Sequence, residues 1–307
     1  MTAAAPRSLR VATRGSALAR AQAERVIELL GVPAELLVVT TQGDRDQTVP
    51  IREIAGTGAF ATEVQEAVRS GRADLAVHSA KDLPARPADG LVIGAFPERV
   101  DPRDALVGSS LDGLPSGGTV ATGSVRRRCQ LANLRPDLTF AELRGNVPTR
   151  VDKARDFDAV VVAVAALDRL GLRAHAADVL EPSVMLPQVG KGALAVECRE
   201  DDDETLAHLA SIDDPDVRAP LEAERAFLAE LGSGCDLPVG ALARRLDDGS
   251  VTVTALLASV DGRIVLRATV AGPDPSTVGR TVADDLVRRE GGAVLLADLG
   301  LARGIGA

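Results

Sequence analysis

The stretch ADLAVHSAKDLP, residues 73–84, starts as a strand and ends as a loop. Ala73–His78 reads as a buried strand, and Ser79–Pro84 is polar and closed by proline. A helical pattern precedes it at Gly58–Ser70. Further upstream, Leu9–Thr13 reads as a strand, Ser16–Leu30 as an amphipathic helix with Ser16 near its N-cap, and Glu35–Thr41 as a second strand. This βαβ rhythm predicts a mostly parallel sheet.

Downstream, Glu98–Arg103 is polar, carries Pro102 and reads as a crossing between domains. The rhythm then restarts. Thr119–Thr122 is expected as a strand, Ser124–Leu134 as a helix, Leu138–Leu143 as a strand, Val147–Arg155 as a helix and Asp158–Ala165 as an apolar strand. Leu186–Gly192, with Pro and Gly, reads as the return crossing. Two such α/β domains, 1–98 with 193–212 and 103–187, would enclose a cleft, a favoured place for ligands. The remainder, 215–307, reads as a small α+β domain. It has helices at Pro215–Leu231 and Pro275–Arg289, and two strands, Val251–Ser259 and Arg263–Ala271, around Asp261-Gly262.

Composition narrows the partners. Aromatics are 2% of 307 residues, with no Trp or Tyr, so no row of rings exists for stacking bases. A net charge of −9 also argues against nucleic acid. Yet Val120–Arg173 holds ten Lys or Arg against six Asp or Glu, which suggests a small anionic ligand. Lysine occurs only at Lys81, Lys153 and Lys191, and the many arginines can grip carboxylates bidentately. Cys129, Cys198 and Cys235 form neither a disulfide framework nor a zinc motif. No signal-like core and no run of 18 apolar residues is present, so a reduced cytoplasmic protein without a membrane partner is expected.

Four places carry the ingredients of chemistry. Arg14 and Ser16 stand at a helix N-terminus, which favours anions; a simple cap with a surface arginine is the alternative. Lys81 and Asp82 follow a buried strand, where α/β active sites form; a surface ion pair is the alternative. His78 reads as a strand-end packing residue, since metal-ligand spacing is absent. Thr122, Ser124, Arg126 and Arg127 open one helix, Arg144 and Arg150 accompany another, and Arg169 follows the apolar strand. Their guanidinium groups could converge on one pocket, whereas Arg128 and Arg135 read as solvated. Cys235, flanked by Gly234 and close to Gly232, has room to carry an attached group or simply to sit in a tight turn. Cys129 and Cys198 read as packing thiols.

These places, in this order, resemble hydroxymethylbilane synthase (porphobilinogen deaminase). The matching stretches are ATRGSALA (12–19), ADLAVHSAKDLP (73–84), DPRDAL (101–106), TGSVRRRCQL (122–131), LRGNVPTR (143–150), LDRLGL (167–172), LPQVGKGALAVECR (186–199) and GSGCDLPVG (232–240). The resemblance implies two periplasmic-binding-protein-like α/β domains with a cleft, plus a small C-terminal α+β domain. It implies a monomeric transferase that condenses four porphobilinogen molecules, releases ammonia and hydrolyses the product to hydroxymethylbilane. It implies a dipyrromethane cofactor joined to Cys235 by a thioether, and Asp82 as the catalytic residue. Lys81, Ser79, Thr122, Ser124, Arg126, Arg127, Arg144 and Arg150 would then hold the cofactor, and Arg14, Ser16, Arg169 and Phe60 the substrate. Each pyrrole carries an acetate and a propionate, so a growing chain crowds carboxylates that arginine forks, hydroxyls and helix N-termini can offset.

The sequence departs from that family at Arg52–Phe60, where many relatives carry lysines at the positions of Glu53 and Thr57. Those two roles are not carried over. Lys191, Ala80 and Pro148 are smaller departures. A rival from another class is a two-domain solute-binding protein for a small organic anion. A nicotinamide enzyme is a weaker rival, because Gly56-Thr57-Gly58 does not complete a dinucleotide fingerprint.

Overall fold

The structure, a computed structural model, describes residues 8–45, 60–232 and 237–299. The chain opens with β1 (Leu9–Arg14), α1 (Ala17–Leu30), β2 (Ala34–Val39), α2 (Gln42–Arg45), α3 (Thr62–Arg69), β3 (Leu75–Ser79) and β4 (Leu91–Ala95). A second unit runs through β5 (Asp104–Val107), β6 (Thr119–Ala121), α4 (Val125–Leu134), β7 (Thr139–Ala141), α5 (Val147–Asp152), β8 (Ala159–Ala163), α6 (Val164–Arg169) and β9 (Ala176–Leu180). The chain then returns by β10 (Leu194–Arg199) to α7 (Asp203–Ala210). The last unit holds α8 (Pro215–Glu230), β11 (Val239–Arg245), β12 (Val251–Ala258), β13 (Val265–Gly272), α9 (Pro275–Asp284) and α10 (Ala293–Asp298).

Two five-stranded sheets share one plan. Their orders are β2-β1-β3-β10-β4 and β7-β6-β8-β5-β9. In each, one strand opposes the rest, β10 in the first and β5 in the second. Each odd strand arrives from the other domain, so it enters against the direction set by the helical crossovers. The sheets are thus mostly parallel, as the rhythm predicts, with an antiparallel member that periodicity does not disclose.

Local signals account for the helices. Ser16 caps α1 by accepting the Ala19 N–H at 3.2 Å. Gly31 ends it in the left-handed region, φ 64°, a conformation that glycine adopts without Cβ strain. Val26 and Leu30 of α1 pack under the first sheet with Leu75, Val77 and Leu194. Burial of each such side chain contributes roughly 1.5–3 kcal/mol. The Asp158–Ala165 strand stops at Ala163, because Val164–Arg169 turns into α6. The Pro275–Arg289 helix is regular only to Asp284 and continues as a wider π stretch, Asp285–Arg289.

The two crossings pair with each other. Val100 N donates to Gly192 O at 3.2 Å and Leu194 N to Glu98 O at 3.1 Å, with a bridge between Arg99 and Ala193. The third unit, an antiparallel β11-β12-β13 sheet covered by α8 and α9, also docks on the second. At the tip of its hairpin Gly262 presses on α4, where a Cβ would lie 2.3 Å from Cys129 O, and Asn133 donates to the Gly262 carbonyl at 2.9 Å.

Candidate active site

The carboxyl ends of β1 and β3 lie side by side, since Ala12 is in register with Ala76. Arg14, Ser79 and the helical turn Ala80–Asp82 therefore emerge at one edge. The Arg14 guanidinium sits over the Phe60 ring, 4.2 Å from its centroid, a cation–π contact that holds the two side chains together. Ser79 exchanges hydrogen bonds with Gln22 of α1, at 2.8 and 3.1 Å. Ser16 serves as the α1 cap.

Lys81 and Asp82 face the second domain. Burial pushes the Lys81 ammonium below its ordinary value; Asp82 opposes this, and Arg127 and Arg150 across the cleft add to the lowering. The Lys81 carbonyl accepts from Gln188 of the second crossing at 3.2 Å.

On the opposite wall, Thr122 Oγ1 accepts the Ser124 N–H at 3.2 Å, and Ser124 caps α4. Asn146 caps α5 in the same way, with Pro148 in its first turn, where its missing N–H does no harm. Burial lowers Arg150 to about 10, and the like charges of Arg127 and Arg144 add to the effect while Asp82 opposes it. Arg150 thus lies near Arg127, Arg144 and Asp82, and Lys81 near Asp82, Arg127 and Arg150.

Two arginines are more committed than the sequence suggests. Arg127 gives Nε and Nη2 to Asp104, at 3.0 and 2.7 Å, and Nη1 to Val161 O at 2.9 Å. Arg126 gives Nη2 to Asp104 at 2.7 Å and Nη1 to Leu186 O at 2.6 Å. Its Nε is buried without a hydrogen-bond partner among the described residues. Asp104 and Lys191 complete this cluster, a role that the sequence does not disclose, because neither of the two Asp in DPRDAL carries a sign of burial. The one available signal was a lysine in a crossing with no other charged residue.

Arg169 lies apart from the cluster. It reaches Glu98 at 3.3 Å and Gly192 O at 3.1 Å, beside the paired crossings. His78 is buried 3.1 Å from Glu197, in the packing position expected of it. Cys129 and Cys198 are buried, and burial pushes both thiols up to about 11. Arg135 is not merely solvated: it pairs with Asp137 and ties down the carbonyls of Leu111, Leu114 and Pro115. Cys235 and residues 52–59 lie outside the described residues.

A cavity opens where the three units meet. Lys81, Ser124, Arg126 and Gln188 line one side, and Leu228 and Leu237 another. Leu237 stands two residues beyond Cys235 in the sequence. Cationic groups beside an apolar surface, with one guanidinium N–H unmatched, suit flat rings bearing carboxylates. The dipyrromethane group expected from the sequence therefore fits the residues present.

A family model described as "Porphobilinogen deaminase, dipyromethane cofactor binding domain" matches residues 9–207, and one described as "Porphobilinogen deaminase, C-terminal domain" matches residues 220–288. The porphobilinogen deaminase of Roseiflexus castenholzii is 45% identical over 300 residues, covering 94% of this chain and 98% of its own. That of Brevibacillus brevis is 42% identical over 296 residues, covering 93% and 96%. Among solved structures, a Salmonella typhimurium periplasmic binding protein of high arginine specificity shares 15% identity, with 73% of this chain and 98% of that chain covered at a TM-score of 0.39. The Bordetella pertussis BvgS VFT2 domain shares 18% identity, with 67% and 86% covered at a TM-score of 0.40.

Proposed function

The chain belongs to the porphobilinogen deaminase family, and on that premise we propose that Asp82 is the catalytic residue of its hydroxymethylbilane synthase reaction. The enzyme is a transferase that condenses four porphobilinogen molecules, with loss of ammonia, onto a covalently held dipyrromethane primer and hydrolyses the product to the linear tetrapyrrole. The family takes precedence over the solute-binding reading. When bound, the primer supplies the terminal pyrrole to which units are added.

The chain's own residues divide the work. Asp82 gives a proton to the amine of porphobilinogen as ammonia leaves, faces the positive charge that results, and takes up the α-proton released when rings join. Lys81, Arg127, Arg144 and Arg150 offset the carboxylates that accumulate, with Arg126 offering its unmatched Nε. Ser79, Thr122 and Ser124 supply hydroxyls. Arg14, Ser16 and Phe60 meet the incoming ring, and Arg169 contributes from the end of α6 beside the crossings. Cys235 carries the primer by a thioether, which keeps the growing end near Asp82. The observation behind this reading is the mutual proximity of Asp82, Lys81, Arg127 and Arg150 across the cleft.

The domain division 1–98 with 193–212, 103–187 and 215–307 belongs to the same reading, as do a monomeric state and a cytoplasmic location. No described helix is long and apolar enough to cross a membrane. The deciding experiment is the mass of the denatured protein beside a Cys235→Ala variant. An excess of two linked pyrrole units, absent from the variant, supports the assignment. An unmodified mass after incubation with porphobilinogen removes Cys235 as the attachment point.

A further inference from the structure

Lys191 is one of three lysines in the chain and is 1% exposed. It sits on the second crossing, and the reaction as described gives it no task. Its ammonium pairs with Asp104, a carboxylate that is 0% exposed and that also holds Arg126 and Arg127, each at 2.7 Å. Three basic side chains thus share one acid away from water. The same crossing supports the other wall of the cleft. Gln188 donates to the Lys81 carbonyl at 3.2 Å, and Ala80 N donates to Ala193 O at 3.0 Å. Gly190, at φ +72°, passes so close that a Cβ would lie 2.9 Å from the Ala80 carbonyl carbon.

We propose that Lys191 is a positioning residue for the condensation: anchored between the Asp82 turn and Asp104, it fixes where Arg126 and Arg127 stand relative to that turn and adds its charge to theirs in favour of an anionic pyrrole. The proposal rests on the assignment of Arg126, Arg127 and Arg150 to the substrate and primer carboxylates.

One carboxylate cannot neutralise three cations, and an unpaired buried charge is costly. A carboxylate entering the cavity lined by Lys81 and Arg126 relieves that excess. Such attraction acts beyond contact distance where water is scarce, so Lys191 need not touch the ligand. Burial pushes its ammonium well below the ordinary value; Asp104 on β5 opposes this, and Arg127 and Arg126 on α4 add to it. Arg99, whose Nε donates to the Lys191 carbonyl, is itself held by Glu224. An ammonium loses its proton far more readily than a guanidinium, so the contribution of Lys191 fades as pH rises.

The test compares wild-type holoenzyme with Lys191→Met, Lys191→Gln and Arg150→Gln. Attached primer is checked by mass, thermal midpoint by calorimetry, and kcat and KM for porphobilinogen across pH. The expected result for both Lys191 variants is attached primer, KM raised on the order of tenfold and kcat within about twofold of wild type. The alkaline rise of KM expected of wild type should be smaller in both. A lowered thermal midpoint with wild-type KM and pH profile would make Lys191 structural only and overturn the proposal. If Arg150→Gln raises KM and the Lys191 variants do not, the Lys191 inference alone fails. If all three leave KM unchanged, the assignment of the arginine cluster fails with it.

Discussion

Glu224, in the middle of α8, takes two guanidinium nitrogens of Arg99 at 2.7 and 3.2 Å and so ties the third domain to the first crossing. The carboxylate is 0% exposed and also accepts the N–H groups of Gly190 and Ala243, each at 2.8 Å. One side chain therefore gathers both crossings and the edge of the third sheet. Arg99→Met would leave this charge buried without its main partner, at a cost of about 3–5 kcal/mol. Thermal unfolding should show a clearly lowered midpoint; an unchanged midpoint would mean that water or a neighbour replaces Arg99.

Asp82 stands at the end of its turn with Lys81 beside it and Arg150 across the cleft. Asp82→Asn keeps the shape and removes the charge. Primer should remain attached, while turnover falls by about 10²–10⁴, the usual share of a positioned proton-transfer group. Mass spectrometry and steady-state rates read the two effects separately, and wild-type turnover would remove Asp82 from the chemistry.

Arg150 has its proton loosened by burial, to about 10 in the folded protein. A basic group with a lowered folded value disfavours folding while it is charged, and that penalty eases as pH rises through about 10 toward its unfolded value. Carboxylate binding runs the other way, because it needs the charge. KM for porphobilinogen should therefore climb as pH approaches about 10, without a matching loss of stability from this group. Parallel pH series of KM and of unfolding midpoint check the opposite signs.

The Asp104 carboxylate is held well below the usual carboxylate range: burial alone would raise it, but Arg127, Lys191 and Arg126 outweigh that. An acid with a lowered folded value adds stability above its unfolded pKa, and that contribution is lost as pH falls below it. Asp104→Asn removes the contribution at every pH and leaves three basic groups without their shared acid. Stability near neutral pH should drop by about 3–5 kcal/mol, and the acid limb of the stability curve should flatten. Denaturant titrations of wild type and variant between neutral and acid pH measure both.

Both crossings invite description as hinges, yet they are not alike. Glu98–Arg103 is only partly buried, whereas Val189–Gly192 is buried throughout. Glu98 is gripped from two sides, by Arg25 at 3.2 Å and by Arg169 at 3.3 Å. Hydrogen exchange should change between resting enzyme and elongation intermediates at 98–103 and remain slow at 189–192. Equal changes in both segments would mean that the whole paired ribbon opens.

The sequence alone determined the α/β rhythm, the two crossings and the turn that carries Asp82, because strand and helix periods and capping residues are local properties. Ser16, Ser124 and Asn146 cap their helices through residues three positions away, a distance within reach of reading. The antiparallel strands β5 and β10 were not legible, since strand direction depends on which domain the chain comes from. Nor was the commitment of Arg126 and Arg127 to Asp104. An arginine looks the same in sequence whether it faces solvent, a ligand or a buried acid more than 20 residues away. Only the tertiary structure brings Lys191 to that acid, 87 residues distant, because charge compensation in a dry interior is a long-range constraint that no local pattern records.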